Sequence, residues 1–363
     1  MKIVTIVGAR PQFVKASCLS RLIKENKDIQ EVMIHTGQHF DYNMSSSFFN
    51  ELEIPEPKYN LDIHSLSHGA MTGRMVEEIE KVLVKEKPNV VVVYGDTNST
   101  LAGALASVKL HFPICHVEAG LRSYNMNMPE EINRILTDHV STFLFCSSEK
   151  AEEILFKEGI KKNVIIVGDI MYDAFLHVRD KLLPKSLVGL PYKPKEYCLI
   201  TLHREENTDD VQKLKRLFDD LYEIGEKYKL LFVFPVHPRL NIMINKNSFP
   251  ARYYHWIKFI DPVSYVDMIA LEKYSKIILT DSGGVQKEAY WNKVPCITLR
   301  EETEWVELVD AGVNKVAGLN RTKILDTFEY LMNNEIEFPE GLYGDGNSTK
   351  KILDFLKMMF RVV

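Results

Sequence analysis

The chain has 363 residues, and its 45 basic against 50 acidic side chains give a net charge of −5 at pH 7. At roughly 100–200 residues per domain, this length predicts two domains. A composition of 45% hydrophobic and 26% charged residues is that of an ordinary folded protein and excludes a disordered chain, a collagen or a small disulfide scaffold. Because the slight acidity offers no general attraction for polyphosphate, we expect no nucleic-acid partner.

The cysteines and the lengths of the apolar runs indicate a cytoplasmic protein. The five cysteines form no C-x-x-C pair, which is typical of buried thiols in a reducing compartment. The longest apolar runs, such as 90–94, are far shorter than the ~20 residues that span a bilayer, so we expect no membrane association. The first residues open directly into a predicted strand and lack the pattern of a signal peptide.

Short runs rich in valine and isoleucine alternate with longer amphipathic stretches, which is the pattern of βαβ units around a buried parallel sheet. The first series of predicted strands covers 3–7, 31–35, 90–94, 114–117, 142–146 and 164–167. The second series covers 197–202, 230–236, 257–260, 277–279, 296–299 and 315–316. The spacing of the apolar residues in 348–360 predicts a final helix.

A segment at 182–195, rich in proline and glycine, separates the two series and is typical of a connector. It places the junction near 169–195, so we predict an N-terminal domain at 1–168 and a second domain at 169–347. Each domain is predicted to be a doubly wound, Rossmann-like α/β sheet. Ligands of such sheets bind beside the carboxyl ends of the strands, so polar residues that directly follow strands are the candidates for function.

The first predicted domain carries cations and carboxylates just after its strands. Arg10 and Lys15 follow the first strand and suit an anion, although an ordinary turn with both cations in solvent explains them equally well. The single glycine of this turn, in place of G-x-G-x-x-G, disfavours NAD as a cofactor. Asp96 and Glu118 follow the third and fourth strands, where a buried carboxylate is costly unless it is paired or takes part in function.

Further candidates lie at a helix start and after two strands of the second domain. Glu130 and Glu131 begin a predicted helix one turn before Arg134, and acids at this place stabilise the helix dipole even without another role. His203 and His237 follow the first two strands of the second series. A histidine there serves as an acid, a base or a phosphate partner, or it is purely structural.

The segment Ser282-Gly283-Gly284 follows a strand and opens a helix, so its backbone N–H groups are suited to a phosphate or diphosphate. Glu288, about one turn later, is placed to accept hydrogen bonds from ribose hydroxyls. The alternative is an ordinary glycine-containing turn. The sequence has no H-E-x-x-H motif, cysteine cluster or carboxylate triplet, so we predict no metal site.

Together, these and neighbouring segments resemble the non-hydrolysing UDP-N-acetylglucosamine 2-epimerase family over essentially the whole chain. Each segment alone is weakly specific, but nine of them in the same order are highly specific. They are Gly8-Ala9-Arg10-Pro11, Thr36-Gly37-Gln38-His39, Gly95-Asp96-Thr97, His116-Val117-Glu118-Ala119-Gly120-Leu121-Arg122, Pro129-Glu130-Glu131-x-Asn133-Arg134, His203-Arg204, Pro235-Val236-His237, Asp281-Ser282-Gly283-Gly284 and Tyr343-Gly344-Asp345-Gly346.

The resemblance implies a GT-B-like fold, in which two Rossmann-like domains face a central cleft that binds a UDP-sugar and the helix at 348–363 returns to the N-terminal domain. It also implies an isomerase that needs no cofactor and forms a homodimer. The family eliminates UDP across C1–C2 to give a 2-acetamidoglucal and then adds UDP back with the proton on the other face of C2.

The resemblance also implies a role for each matching residue. The acid/base carboxylates around C2 are implied to be Asp96, Glu118 and Glu130, with His203 helping UDP to leave. The implied UDP- and substrate-binding residues are Arg10, Lys15, Arg134, His237, Ser282, Gly283, Gly284 and Glu288. Which carboxylate takes the C2 proton stays open.

Four positions depart from the pattern common in this family. Gln12 replaces the glutamate of R-P-E, and Trp305 and Val306 replace the arginine and the proline of T-E-R-P-E. Both altered segments are similar to those of the subgroup that epimerises UDP-2,3-diacetamido-2,3-dideoxyglucuronate to the mannuronate isomer. This sugar is therefore the alternative substrate. Asp41 stands where bacterial relatives use a longer polar side chain to bind an activating UDP-sugar, which leaves activation open.

Other functions remain as alternatives. A GT-B glycosyltransferase shares the fold and the UDP site but needs an acceptor. A hydrolysing epimerase releases free N-acetylmannosamine and UDP, and a nucleotide-sugar sensor binds without turnover.

Overall fold

The protein is described by a computed structural model that covers residues 1–38, 54–181, 193–236, 238–247 and 249–361. The chain divides into two compact units. Unit 1 comprises residues 1–176 together with 341–363, and unit 2 comprises residues 177–340. The boundaries expected from the sequence, after residues 168 and 347, differ from these divisions, which fall after residues 176 and 340, by eight and seven residues. Most of the predicted connector at 182–195 lies outside the described residues.

Each unit contains one parallel sheet. The strands of unit 1 are β1 (Lys2–Val7), β2 (Gln30–His35), β3 (Tyr59–Asn60), β4 (Val90–Tyr94), β5 (Ile114–Ala119), β6 (Phe143–Cys146) and β7 (Val164–Ile166). The strands of unit 2 are β8 (Tyr197–Thr201), β9 (Leu231–Pro235), β10 (Ile257–Ile260), β11 (Ile278–Thr280), β12 (Cys296–Thr298) and β13 (Asn314–Val316).

Helices follow most strands, as βαβ connections require. They are α1 (Arg10–Lys24), α2 (His68–Glu86), α3 (Asn98–Lys109), α4 (Pro129–Val140), α5 (Glu149–Lys157), α6 (Ile170–Lys181), α7 (Glu205–Thr208), α8 (Val211–Tyr228), α9 (Pro238–Lys246), α10 (Tyr253–Trp256), α11 (Tyr265–Tyr274), α12 (Gly283–Trp291), α13 (Val306–Asp310), α14 (Arg321–Asn333) and α15 (Ser348–Phe360). No helix in the described ranges is long and apolar enough to cross a bilayer.

Both sheets are doubly wound and have one switch point each. The strand order is β3-β2-β1-β4-β5-β6-β7 in unit 1 and β10-β9-β8-β11-β12-β13 in unit 2, and all pairings are parallel. The direction of winding reverses between β1 and β4 and between β8 and β11. Ligands of open α/β sheets bind at these reversals, because the connections leave in opposite directions and open a crevice.

The predicted strands are confirmed to within one or two residues, and the final helix is confirmed at Ser348–Phe360. The strongest signals came from strands buried on both faces, such as Val90–Tyr94, in which every residue is buried. The two-residue strand Tyr59–Asn60 was not predicted, since so short an edge strand leaves no periodic pattern. The predicted α/β class with two Rossmann-like sheets is confirmed.

The last helix belongs to unit 1 and is held by an acid on α6. The Asp173 carboxylate accepts hydrogen bonds from the backbone N–H groups of Ser348 (3.2 Å) and Thr349 (2.7 Å) and from the Thr349 hydroxyl (2.5 Å). Asn347, the N-cap residue of α15, provides no side-chain cap, so Asp173 takes over that task. Just before this helix, a Cβ on Gly344 would lie 2.8 Å from the Gly168 Cα, which explains glycine in this close approach.

We therefore expect Asp173→Ala to loosen α15 by removing its cap. A lost cap costs about 0.5–2 kcal/mol of stability, so the urea midpoint of unit 1 falls and protease cleavage within 348–360 becomes faster. Asp354→Ala, at an exposed position of the same helix, is the matched control and should leave the urea midpoint and the rate of protease cleavage unchanged. Equal protease resistance of the Asp173→Ala variant and the unaltered protein would contradict this role.

Candidate active site

The turn at the switch point of unit 1 is fixed by Gln12. This side chain is 2% exposed, its Oε1 accepts from the N–H groups of Gly8 (2.8 Å) and Ala9 (3.1 Å), and its Nε2 donates to the Tyr94 carbonyl (2.8 Å) and Thr100 Oγ1 (2.9 Å). An ionised glutamate has no proton to donate to that carbonyl. Gln12 therefore ties the turn after β1 to the end of β4 by contacts that only an amide completes.

Two of the predicted residues after β1 lie at the start of α1. Arg10 is its first residue and is partly exposed. The Lys15 ammonium forms an ion pair with Glu118 Oε2, and only 12% and 7% of these two side chains are exposed. A Cβ on Gly95 would lie 3.3 Å from both of these groups, so the end of β4 passes directly beside the pair.

Glu118 lies in a left-handed backbone conformation within a strand. Its φ is +73°, and the pairing of β5 with β6 shifts register between Val117 and Ala119. Such a bulge re-aims a side chain, and a residue other than glycine, asparagine or aspartate rarely adopts this φ. Strain of this kind is concentrated at functional sites, and here it directs the Glu118 carboxylate to Lys15.

Asp96 and Arg134 form the second ion pair of the cluster. Arg134 Nη1 lies 2.8 Å from Asp96 Oδ2, and the Asp96 side chain is 34% exposed. Burial raises the pKa of the Asp96 carboxyl above its ordinary value, with Glu118 and Glu130 adding to the rise and Arg134 and Lys15 opposing it. A carboxyl of raised pKa beside a cation is suited to giving and taking a proton.

The two acids at the start of α4 have different surroundings. Glu130 is exposed and influences Asp96, whereas Glu131 is buried and accepts from the N–H groups of Ser123 and Tyr124, both at 2.9 Å. Burial alone would raise the pKa of Glu131, but these N–H groups and Arg134 hold it below its ordinary value. Glu131 therefore anchors the preceding loop and orients Arg134, 2.9 Å away.

A buried histidine that the sequence analysis did not single out supports this cluster. The His116 ring joins Asp138 Oδ1 through Nδ1 and the Gly95 carbonyl through Nε2, both at 2.7 Å. Arg122 also contacts Asp138, at 2.7 Å. Since His116 stands two residues before Glu118, this network links the strand that carries Glu118 to the turn that carries Asp96.

At the switch point of unit 2, Asp281 binds His203. The Asp281 carboxylate is fully buried, lies 2.8 Å from His203 Nδ1 and accepts from the N–H groups of His203 (3.2 Å) and Arg204 (3.1 Å) and from Asn207 Nδ2 (3.1 Å). The His203 side chain is 58% exposed, so its ring is oriented from within while remaining accessible. Burial alone would raise the pKa of Asp281, but His203, Asn207 and Arg204 hold it below its ordinary value.

Asp281 was not among the predicted site residues, although a signal for it existed. Asp281 follows β11 immediately, as Asp96 follows β4 after one glycine, and the cost of burying an acid is a reason to inspect both. Asp281 thus connects His203, which follows β8, to Ser282, which follows β11.

The Ser282-Gly283-Gly284 segment begins α12, with Ser282 as the N-cap residue. A Cβ on Gly283 would lie 2.5 Å from Glu304 Oε1, so a side chain at this position would require the Glu304 carboxylate to move, whereas the nearest atom to a Cβ on Gly284 would be 3.8 Å away. Farther along the helix, Glu288 is buried and accepts a hydrogen bond from the Tyr265 hydroxyl at 2.9 Å.

Trp305 is buried and packs against Lys287, whose Nζ lies 3.9 Å from the indole ring centroid. At this distance the ammonium is attracted to the aromatic face. An aromatic side chain at this position thus holds a neighbouring cation.

His237 and Asp41 lie outside the described residues. Within the described ranges, no group of three or more His, Cys, Asp or Glu side chains has an arrangement that could hold a metal ion.

Comparison with known proteins gives matches along the whole chain. The family model described as UDP-N-acetylglucosamine 2-epimerase matches residues 21–357. A UDP-N-acetylglucosamine 2-epimerase homolog of Methanococcus maripaludis is 50% identical, with 98% of this chain and 99% of the relative aligned. A UDP-2,3-diacetamido-2,3-dideoxy-D-glucuronate 2-epimerase of Pseudomonas aeruginosa is 49% identical, again with 98% of this chain and 99% of the relative aligned.

Solved structures agree with these matches. The crystal structure of Methanocaldococcus jannaschii UDP-GlcNAc 2-epimerase in complex with UDP-GlcNAc and UDP has a TM-score of 0.89 at 43% identity and covers 99% of this chain and 100% of that one. A glycosyltransferase of kitacinnamycin, at 10% identity, has a TM-score of 0.64 over 98% of both chains, and this likeness concerns the fold alone.

Loss of the Asp281 charge is expected to destabilise unit 2 and to change its response to acid. Because the pKa of Asp281 is lowered in the folded state, its contribution is complete above the ordinary value of 3.8 and is lost as the pH falls through the lower, folded value. Asp281→Asn should lower the free energy of unfolding by about 1–3 kcal/mol at neutral pH, as expected for a weakened set of buried hydrogen bonds. It should also make the free energy of unfolding fall less steeply as the pH is lowered.

Urea unfolding of unit 2 at several pH values measures both effects. Asp326→Asn, an exposed acid of the same unit, serves as the control and should match the unaltered protein. If the Asp281→Asn variant had the same stability and the same pH dependence of stability as the unaltered protein, the proposed contacts of the Asp281 carboxylate would be contradicted.

Proposed function

Because the chain belongs to the UDP-N-acetylglucosamine 2-epimerase family, we propose that it interconverts the gluco and manno configurations at C2 of a UDP-activated N-acetylated amino sugar. The observation that carries the proposal is the cluster at the switch point of unit 1. There Lys15 pairs with Glu118 and Arg134 pairs with Asp96. These pairs support the proposal because they put carboxylates, which suit proton transfer, beside cations, which suit a leaving diphosphate.

The proposed reaction has two reversible steps. In the first, a base removes the C2 proton while the bond between C1 and the UDP oxygen breaks, which leaves a C1–C2 double bond and free UDP. In the second, the UDP oxygen adds back to C1 and a proton is delivered to the opposite face of C2. The chain is unchanged after both steps, so no oxidant, reductant or cofactor is consumed.

Unit 1 is proposed to carry out the proton transfers. Asp96, Glu118 and Glu130 are the candidate acids and bases, and the raised pKa of Asp96 favours it as a group that is protonated for part of the cycle. Lys15, Arg10 and Arg134 are proposed to balance the negative charge of the diphosphate. A ligand that attracts Lys15 also draws it away from Glu118, which would leave that carboxylate more basic.

Unit 2 is proposed to bind the UDP. Ser282, Gly283 and Gly284 offer N–H groups at the start of α12, where the helix dipole also favours an anion. Glu288 is proposed to accept hydrogen bonds from the ribose. His203, oriented by Asp281, is proposed to donate to the diphosphate as it leaves, and His237 remains a candidate substrate contact on the basis of the resemblance alone.

Two sugars are candidates, UDP-N-acetylglucosamine and UDP-2,3-diacetamido-2,3-dideoxyglucuronate. The relative named as the diacetamido-glucuronate epimerase is 49% identical to this chain. Two relatives named as UDP-N-acetylglucosamine 2-epimerases are 44% identical, and a third, at 50%, is named only as a homolog of that enzyme. Overall similarity therefore does not decide between the two sugars. Of the two sequence departures, Gln12 has a structural task, since its amide joins two turns. Trp305 also has a contact within the protein, with Lys287, so the argument for the second sugar rests on the resemblance of both segments to that subgroup.

The proposal extends to location and assembly. All five cysteines are buried and free of disulfides, which fits a reducing cytoplasm. A homodimer rests on the family resemblance, and light scattering of the purified protein tests it.

Exchange of the C2 hydrogen tests the reaction and identifies the sugar. In D₂O, proton NMR with each UDP-sugar separately should show deuterium at C2 and a manno product from one of them. Sugar transferred to an acceptor would indicate a glycosyltransferase, and free N-acetylmannosamine a hydrolysing enzyme. Tight binding with no exchange from either sugar would contradict the epimerase proposal and indicate a sensor.

Amide variants test the proton-transfer groups. Asp96→Asn, Glu118→Gln and Glu130→Gln should each lower kcat by about 10²–10⁴-fold, the usual contribution of a positioned acid or base. Calorimetric affinity for UDP should stay within a few-fold, since these groups act at C2. Glu153→Gln, an exposed glutamate of the same unit, is the control. Any of the three variants that keeps full kcat has no place in the mechanism.

A further inference from the structure

Glu272 is a completely buried acid that the mechanism above does not use. It lies in α11, which packs against α12, the helix that carries Glu288. Glu272 is 0% exposed and Glu288 is 4% exposed. The Glu272 and Glu288 carboxyl groups also interact with each other, so two acids lie side by side out of contact with bulk water, which is a costly arrangement unless something reduces their charge.

The surroundings of Glu272 do not favour an ionised carboxylate. Its Oε2 accepts one long hydrogen bond, from Asn292 Nδ2 at 3.4 Å, and within the described ranges no donor reaches its Oε1. The charged group in contact with it is Glu288 rather than a cation. Asn292 stands four residues after Glu288, so the contact places Glu272 on the face of α12 that Glu288 occupies.

Glu288, in contrast, receives a donor. The Tyr265 hydroxyl lies 2.9 Å from its Oε1 and stabilises the ionised form. Tyr265 and Glu272 are seven residues apart in α11 and therefore share one face of that helix. When two neighbouring carboxyl groups cannot both be ionised, the one with fewer donors keeps the proton.

Burial, and then the negative charge of Glu288, raise the pKa of Glu272 well above its ordinary value. This agrees with the donor count, which assigns the proton to Glu272 and the charge to Glu288. A protonated Glu272 has one O–H group to donate, and Glu288 is the acceptor in contact with it.

We propose that Glu272 is a positioning residue, a neutral acid that donates a hydrogen bond to Glu288 and, with Tyr265, fixes that carboxylate for its ligand. The ligand chemistry is that of a ribose diol, and this part rests on the proposed function. The pair then carries one negative charge instead of two beside the start of α12, where the diphosphate is proposed to bind.

Two variants of similar length separate hydrogen bonding from packing. Glu272→Gln keeps a neutral donor, whereas Glu272→Met fills the space without one. Calorimetry should show that Glu272→Met raises the Kd for UDP about tenfold, as expected for losing a hydrogen bond to a charged group. The Kd of Glu272→Gln should stay within about threefold of that of the unaltered protein. In a Glu288→Gln background, Glu272→Met should add no further loss.

Infrared spectroscopy tests the proton directly. The unaltered protein at neutral pH should show the carbonyl stretch of a buried neutral carboxylic acid, and Glu272→Gln should lack it. Absence of this band in the unaltered protein would overturn the proposal, as would a Glu272→Met variant that binds UDP normally or a Glu272→Gln variant that binds as weakly as Glu272→Met. If UDP binds but neither sugar exchanges its C2 hydrogen, the proposed function fails while this inference stands.

Discussion

A carboxylate taken out of water costs several kcal/mol unless cations or N–H groups replace its hydration. That constraint governs both switch points. In unit 1, Lys15 and Arg134 compensate Glu118 and Asp96, and in unit 2 a histidine, an asparagine and backbone N–H groups compensate Asp281. In the proposed function, Lys15 and Arg134 also attract the diphosphate, so charge compensation within the protein and recognition of the phosphate would compete for the same two cations.

The backbone enforces this arrangement as much as the side chains do. The left-handed Glu118 sits in a register shift of β5, and His116, two residues earlier, bonds to the carbonyl of Gly95. Gln12 bonds to the neighbouring Tyr94 carbonyl from the other side of the switch point. Two elements, α1 and β5, are thereby bonded to the end of β4 and the glycine that follows it, which gives the Asp96 turn little freedom. A site that must place proton donors within a few tenths of an ångström of a carbon atom needs such rigidity.

The sequence predicted the sheets well because their strands are buried on both faces and read as continuous apolar runs. It also indicated the strand ends at which charged side chains gather, since acids and cations just after such runs are conspicuous, and the structure places the pairs Lys15–Glu118 and Arg134–Asp96 there. The residue pattern by itself did not separate Glu130 from Glu131, and only the family resemblance selected Glu130. The two acids are adjacent, and the fold decides that Glu131 turns inward to Ser123 and Tyr124. The sequence could not predict a role for Glu272 either, because Glu288, the residue it interacts with, lies in another helix.

The position of α15 has a consequence for how the chain is made. Unit 1 is discontinuous, because residues 341–363 complete it only after all of unit 2 has been added. On the ribosome, unit 2 has its full sequence while unit 1 still lacks the helix that Asp173 caps. Domains generally fold as units in the order of their synthesis. Here the order is inverted, and the unit that begins first is the last to be finished.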